Sequence, residues 1–135
     1  MAIKTRAALI VDYGQPLAVD EIILQDPCES EVLVKLIASG ICHSQLHAIH
    51  SNTLKTPSLL GHEGTGIVLK TGKNVSHVKE GDHCIVTWVP RDITIDSPAL
   101  APTKYEFQGK TYHAGVYTWA ESALINEQLV VPLSK

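Results

Sequence analysis

Cysteine is scarce in this chain: Cys28, Cys42 and Cys84 are the whole supply among 135 residues. An odd number of widely scattered cysteines excludes a disulfide framework, and only Cys42 looks chemical. Long apolar runs are missing too. No stretch of about 18 consecutive apolar residues occurs, and the opening Met1-Ala2-Ile3-Lys4-Thr5-Arg6 starts no signal-peptide core. A membrane partner is therefore not expected, and the expected location is cytoplasmic. Basic residues do not dominate: 11 Lys and Arg stand against 14 Asp and Glu, a net charge of -3, so there is no electrostatic footprint for nucleic acid. The pattern G-x-G-x-x-G is also absent, and with it any visible dinucleotide-binding βαβ unit. What is present suits a folded domain. Hydrophobic residues at 44% and charged residues at 19% exclude disorder, and a chain of this length buries roughly two-thirds of its unfolded surface.

Runs rich in Val, Ile and Leu predict strands over 5–11, 17–24 and 31–38, separated by the turn clusters Tyr13-Gly14-Gln15-Pro16 and Gln25-Asp26-Pro27. Gly40 breaks the third run. Residues 42–50, with Ile49 their one β-branched side chain, predict a helix of about two turns. Further strands are expected over 64–69 and 82–89. Pro90, Pro98 and Pro102 punctuate a stretch with few periodic apolar positions, so 90–103 reads as a long surface loop. A hairpin over 105–112 turns at Gln108-Gly109, and strands follow near 116–124 and 128–131. One short helix among about eight strands favours a mainly β, irregular barrel over a parallel α/β sheet, which needs a helix after nearly every strand.

Chemistry concentrates in one place. Four of the seven histidines lie between His43 and His62, together with Cys42 and Glu63. Zinc suits this set, because Zn²⁺ accepts thiolate, imidazole and carboxylate together and a catalytic site keeps an open position. Cys42 and His62-Glu63 each follow closely on a glycine, Gly40 and Gly61, where the backbone can turn donors inward from two elements. The blander readings stand beside this one. A lone cysteine is more often a small buried hydrophobe, and His43 and His47, four apart on the expected helix, are more often surface histidines than a metal face. Cys28, Cys84, His50, His77, His83 and His113 are read as structural.

Gly61-His62-Glu63-Gly64-Thr65-Gly66, followed by Ile67 to Thr71, Gly72 and Val75, matches the signature of zinc-containing medium-chain alcohol dehydrogenases at every defined position. Gly40-Ile41-Cys42-His43-Ser44 and Val78-Lys79-Glu80-Gly81-Asp82-His83 fall where that family has its equivalents. With Glu31-Val32-Leu33-Val34-Lys35 and Ala120-Glu121, the resemblance spans nearly the whole chain. It implies the family's N-terminal catalytic domain, a GroES-like β-barrel over residues 1–135. It also implies an NAD- or NADP-dependent enzyme that oxidises a small alcohol to an aldehyde or ketone, hydride leaving a zinc-held alkoxide. Cys42 and His62 would then be catalytic zinc ligands, with Glu63 beside the metal. Ser44 and His47 match the family's proton relay, His43 sits where a basic residue meets the cofactor pyrophosphate, and Trp88 falls on a wall of the substrate pocket, favouring small alcohols or aldehydes.

Three features depart from the family pattern. Gln45 stands where an Asp usually orients a zinc ligand, so the zinc is expected to be held weakly. The four-cysteine lobe of a structural zinc is absent, so only the catalytic zinc is expected. The sequence ends at Lys135, before the family's remaining zinc ligand and its Rossmann domain. The expectation is therefore a portion of a longer dehydrogenase, inactive by itself, with NAD or NADP bound by the absent domain. The alternative is a free-standing GroES-like zinc-binding or assembly module without turnover. Cofactor choice, substrate identity and a homo-oligomeric state are left open by these residues.

Overall fold

The computed structural model describes residues 1–92 and 94–133. The chain runs β1 (Ile3–Ile10), β2 (Ala18–Leu24), β3 (Glu31–Ser39), α1 (His43–Ser51), β4 (Ser58–Leu59), β5 (Glu63–Thr71), β6 (His83–Thr87), β7 (Thr103–Phe107), β8 (Lys110–Ala114), β9 (Ser122–Asn126) and β10 (Val130–Pro132), with a 3₁₀ turn at Glu127–Leu129. It is mainly β, as the strand runs predict, and α1 is its one α-helix among the described residues.

Two five-stranded sheets form, in the orders β4-β1-β2-β7-β8 and β10-β6-β5-β3-β9. Every strand pair is antiparallel. Trp119 to Glu121 joins the sheets. Ala8 N–H donates to Trp119 O at 2.8 Å and Glu121 N–H to Arg6 O at 2.9 Å, while Leu36 N–H donates to Glu121 O at 2.9 Å. These bonds turn two sheets into one irregular GroES-like barrel. Period-2 alternation explains its inside: along β1, Thr5, Ala7 and Leu9 are buried while Lys4, Arg6 and Ala8 are not. Leu9, Ile22, Leu24, Val32, Val34, Val86 and Ile125 fill the centre. Two buried phenols find partners there: Tyr105 donates to Pro57 O at 2.8 Å, and the Tyr117 oxygen accepts the Leu124 N–H at 2.9 Å.

The structure shifts several expected boundaries. Helix α1 spans His43–Ser51, with Cys42 at its N-cap in extended conformation and Asn52 closing it at φ 52°. Strand β4 pairs only Leu9 with Leu59 and Ile10 with Ser58, too short to show in any pattern. Residues 116–121 are loop, not strand, and β9 begins at Ser122. Tyr117 and Thr118 are both buried, and their backbone carries no strand ladder. The β7–β8 turn forms as expected, with Gln108 and Gly109 at φ 50° and 74°, the positive pair a two-residue hairpin turn needs.

Residues 90–102 carry no strand among the described residues, but the root of this loop is fastened. Arg91 N–H donates to Gln128 O at 2.9 Å, and its guanidinium donates to Glu127 at 3.2 Å. His77 Nδ1 lies 3.3 Å from the same carboxylate. Thr103 belongs to β7, its hydroxyl buried on Leu124 O at 2.8 Å. No helix among the described residues is long and apolar enough to cross a membrane.

Candidate metal centre and substrate cleft

The end of β3 and the start of β5 lie side by side, with Ser39 opposite Gly64 and Gly40 N–H donating to Glu63 O at 2.9 Å. That pairing brings Cys42 against His62 and Glu63 although about twenty residues separate them. One donor atom from each of Cys42, His62 and Glu63 falls within 4.8 Å of the other two. Thiol, imidazole and carboxylate in one cluster are a donor set that fits zinc in kind.

The 118–119 segment holds both arms of the site from beneath. Trp119 Nε1 donates to Gly40 O at 3.1 Å, and Thr118 Oγ1 donates to Glu63 O at 3.3 Å and lies 2.7 Å from Ser39 Oγ. The N–H groups of Thr118 and Trp119 both donate to Leu60 O at 3.0 Å. Just beyond Leu60 the buried Gly61 takes φ +92°, and a Cβ there would lie 2.4 Å from Thr118 Oγ1 and 2.8 Å from Trp119 N. Only glycine accommodates both the dihedral angle and that approach.

Cys42 is chemically distinct from the other two cysteines. The Ser44 hydroxyl donates to Cys42 Sγ at 3.3 Å. That bond, then the Ser44 backbone N–H, pulls the Cys42 thiol below its ordinary pKa, against the opposing charge of Glu63. A helix N-terminus is a place where thiolate is favoured. The neighbouring Glu31 carboxylate pushes the Cys28 thiol up instead. Burial pushes that of Cys84 up to about 11, in keeping with its structural reading.

A cleft of about 760 Å³ opens beside this cluster, lined by Cys42, Ser44, Gln45, His62, Trp88 and His113 among others. Trp88 therefore stands on the cleft, 64% exposed. His43 and His47 are exposed on α1, and neither lines the cleft. Ser44 shares no hydrogen bond with His47 among the described residues. One participant escaped the sequence reading. His113, read there as structural, reaches the cleft from β8. Gln45 makes a double contact: Gly61 N–H donates to its Oε1 at 2.7 Å, and its Nε2 lies 2.8 Å from His62 Nδ1. The resemblance had marked Gln45 but not its contact with Gly61, and nothing local marked His113, because both depend on which distant segment they face.

The family profile described as "Alcohol dehydrogenase GroES-like domain" matches residues 28–135. The chain belongs to that family. Among curated relatives of this GroES-like domain, the NDMA-dependent alcohol dehydrogenase of Amycolatopsis methanolica is 41% identical over 88 residues, 64% of this chain and 24% of the relative. The S-(hydroxymethyl)glutathione dehydrogenase of Paracoccus denitrificans is 40% identical over 89 residues, again 64% and 24%. The chain thus spans about a quarter of the length of these relatives. In fold, the domain is similar to an "Alcohol dehydrogenase zinc-binding domain protein" from Burkholderia ambifaria, with a TM-score of 0.87 at 24% identity, covering 100% of this chain and 43% of that one. It also resembles the CAD of Helicobacter pylori complexed with NADP(H), with a TM-score of 0.74 at 19% identity, covering 99% and 42%.

Proposed function

We propose that this GroES-like domain is the zinc- and substrate-binding part of an NAD- or NADP-dependent alcohol dehydrogenase. The observation that carries the proposal is the convergence of Cys42, His62 and Glu63 beside a cleft that Cys42 and His62 line. Zinc held by these residues would act as a Lewis acid, easing loss of the proton from an alcohol hydroxyl. The protein's own groups prepare the rest. Ser44 Oγ, beside the Cys42 sulfur, accepts the alcohol's proton as its own proton leaves toward solvent, and the exposed imidazole of His47, not hydrogen-bonded to Ser44, takes that proton by way of water. Trp88, with Leu54, Leu59 and Val116 also on the cleft, gives apolar walls suited to a small alcohol or aldehyde.

The other half of the reaction needs a second body. His43, exposed at the start of α1, offers charge to a cofactor phosphate, but one exposed imidazole is worth too little to hold a dinucleotide. Beside the cleft residues Cys42 and Trp88, Ile41 is 85% and Val89 52% exposed, as befits a rim that another domain covers. Held this way, a nicotinamide would sit against the substrate, and that positioning supplies much of the rate.

The test is reduction of NAD and NADP driven by small alcohols. The chain by itself is expected to show none. Joined to the unmatched part of the alcohol dehydrogenase of Moraxella sp., a relative 40% identical over 87 residues, it is expected to turn over, and Cys42→Ala and His62→Ala are expected to abolish the activity. Turnover by residues 1–135 alone would overturn the proposal, as would a fusion whose activity ignores both substitutions.

A further inference from the structure

We propose that Gln45 is a positioning residue that fixes the tautomer of His62 and thereby restrains how tightly the cluster takes zinc. The amide orientation follows from a donor that cannot change roles. A backbone N–H only donates, so the Gln45 atom 2.7 Å from Gly61 N is the carbonyl oxygen. The other end of the amide is then NH₂, and it faces His62 Nδ1 at 2.8 Å. An NH₂ only donates, so Nδ1 accepts, and the neutral ring carries its proton on Nε2.

A metal-ligating histidine needs the opposite arrangement. It presents a bare nitrogen to the cation and donates its other N–H to a carboxylate or carbonyl oxygen. With Nδ1 occupied by Gln45, Nε2 is the nitrogen left for a ligand. Freeing it moves the ring proton to Nδ1, where it meets the NH₂ of Gln45. If the amide turns over to accept that proton, its NH₂ confronts the N–H of Gly61, which is buried and loses its partner. One donor faces another in either arrangement, so metal binding and the Gly61–Gln45–His62 chain oppose each other. Glutamate has the same shape and an oxygen at both ends, so Gln45→Glu accepts from Gly61 and from His62 Nδ1–H together.

This inference rests on Cys42, His62 and Glu63 being the metal donors, but its first measurement needs no metal. Long-range ¹H–¹⁵N spectra of the metal-free chain, taken where histidines are neutral, report the tautomer of each ring, and His62→Gln identifies the resonances. The wild-type chain is expected to show bare Nδ1 and protonated Nε2, and Gln45→Glu the reverse. Chelator competition is then expected to show zinc bound about 10–100-fold more tightly by Gln45→Glu, with far-UV circular dichroism unchanged. A wild-type Nδ1–H tautomer would overturn the role of Gln45. So would a Gln45→Glu chain with the tautomer reversed and zinc bound no more tightly. Zinc binding indifferent to Cys42→Ala would instead fault the metal reading and leave the tautomer result standing.

Discussion

Gly40 and Gly61 flank the same site, yet alanine is expected to act on them in opposite ways. At Gly61 a Cβ would lie 2.4 Å from Thr118 Oγ1, 2.6 Å from Trp119 Cδ1 and 2.8 Å from Trp119 N, at φ +92°. The dihedral angle costs a non-glycine residue roughly 1–2 kcal/mol. Overpacking against backbone that cannot retreat adds about 1–3 kcal/mol. Together Gly61→Ala should destabilise by about 2–5 kcal/mol, and at about 3.5 °C per kcal/mol for a domain of this size Tm falls by about 7–18 °C. At the exposed Gly40 the obstruction is the Glu63 side chain, with Cδ at 2.6 Å and Oε1 at 2.7 Å. A flexible exposed carboxylate swings away for less than about 1 kcal/mol. The displaced group is one of the three proposed metal donors, however, so Gly40→Ala should keep Tm within about 4 °C of wild type while weakening zinc about tenfold or more. Thermal unfolding of the metal-free chains, paired with chelator competition, separates the two effects. Equal Tm losses, or a Gly40→Ala chain that binds zinc as wild type does, would refute the reasoning.

Other expectations follow from the same geometry. In the metal-free chain, alkylation at neutral pH should modify Cys42 before Cys28, whose thiol is pushed up, and leave buried Cys84 untouched; zinc should protect Cys42 alone, as peptide mapping can check. Glu127→Ala should leave the half-buried Arg91 guanidinium short of an acceptor, lower stability by about 1–3 kcal/mol and speed proteolysis within 94–102. Arg6 holds Glu121 below its ordinary carboxyl pKa of 4.5. Its stabilisation is therefore full above that value and lost as pH falls through the depressed one. Urea unfolding should thus show a Glu121→Gln deficit at pH 6 that shrinks toward pH 2, and that high salt shrinks too because the pair is exposed.

The β character and most strand positions were legible because β-branched runs between turn residues carry their own punctuation. Strands β1, β2, β3 and β5 begin and end within about two residues of those runs. The helix was legible too, offset by one residue at each end because Cys42 caps it. The 116–121 segment misled for a physical reason. Val116, Tyr117, Thr118 and Trp119 have strand-like composition, but they earn their places through Leu60, Leu124 and Gly40, contacts that no local period records. Cys42, His62 and Glu63 stood out as candidate donors by residue type and flanking glycines, and the fold brings them together. Their closeness depends on the β3–β5 pairing, and the double contact of Gln45 depends on Gly61 arriving from another element. Trp88, put on a substrate-pocket wall by resemblance, lines the cleft. His113 was passed over because nothing around it in sequence announces a site.

Whether Cys42, His62 and Glu63 together hold one zinc ion is open to cobalt titration. A cysteine sulfur bound to Co²⁺ absorbs in the near ultraviolet, where neither the free ion nor the protein does so strongly. Such a band is expected to saturate at one equivalent, to be displaced by zinc, to be absent in Cys42→Ser and to be weakened in Glu63→Gln. A band of wild-type strength in Cys42→Ser, or tight zinc that survives removal of both Cys42 and His62, would contradict it.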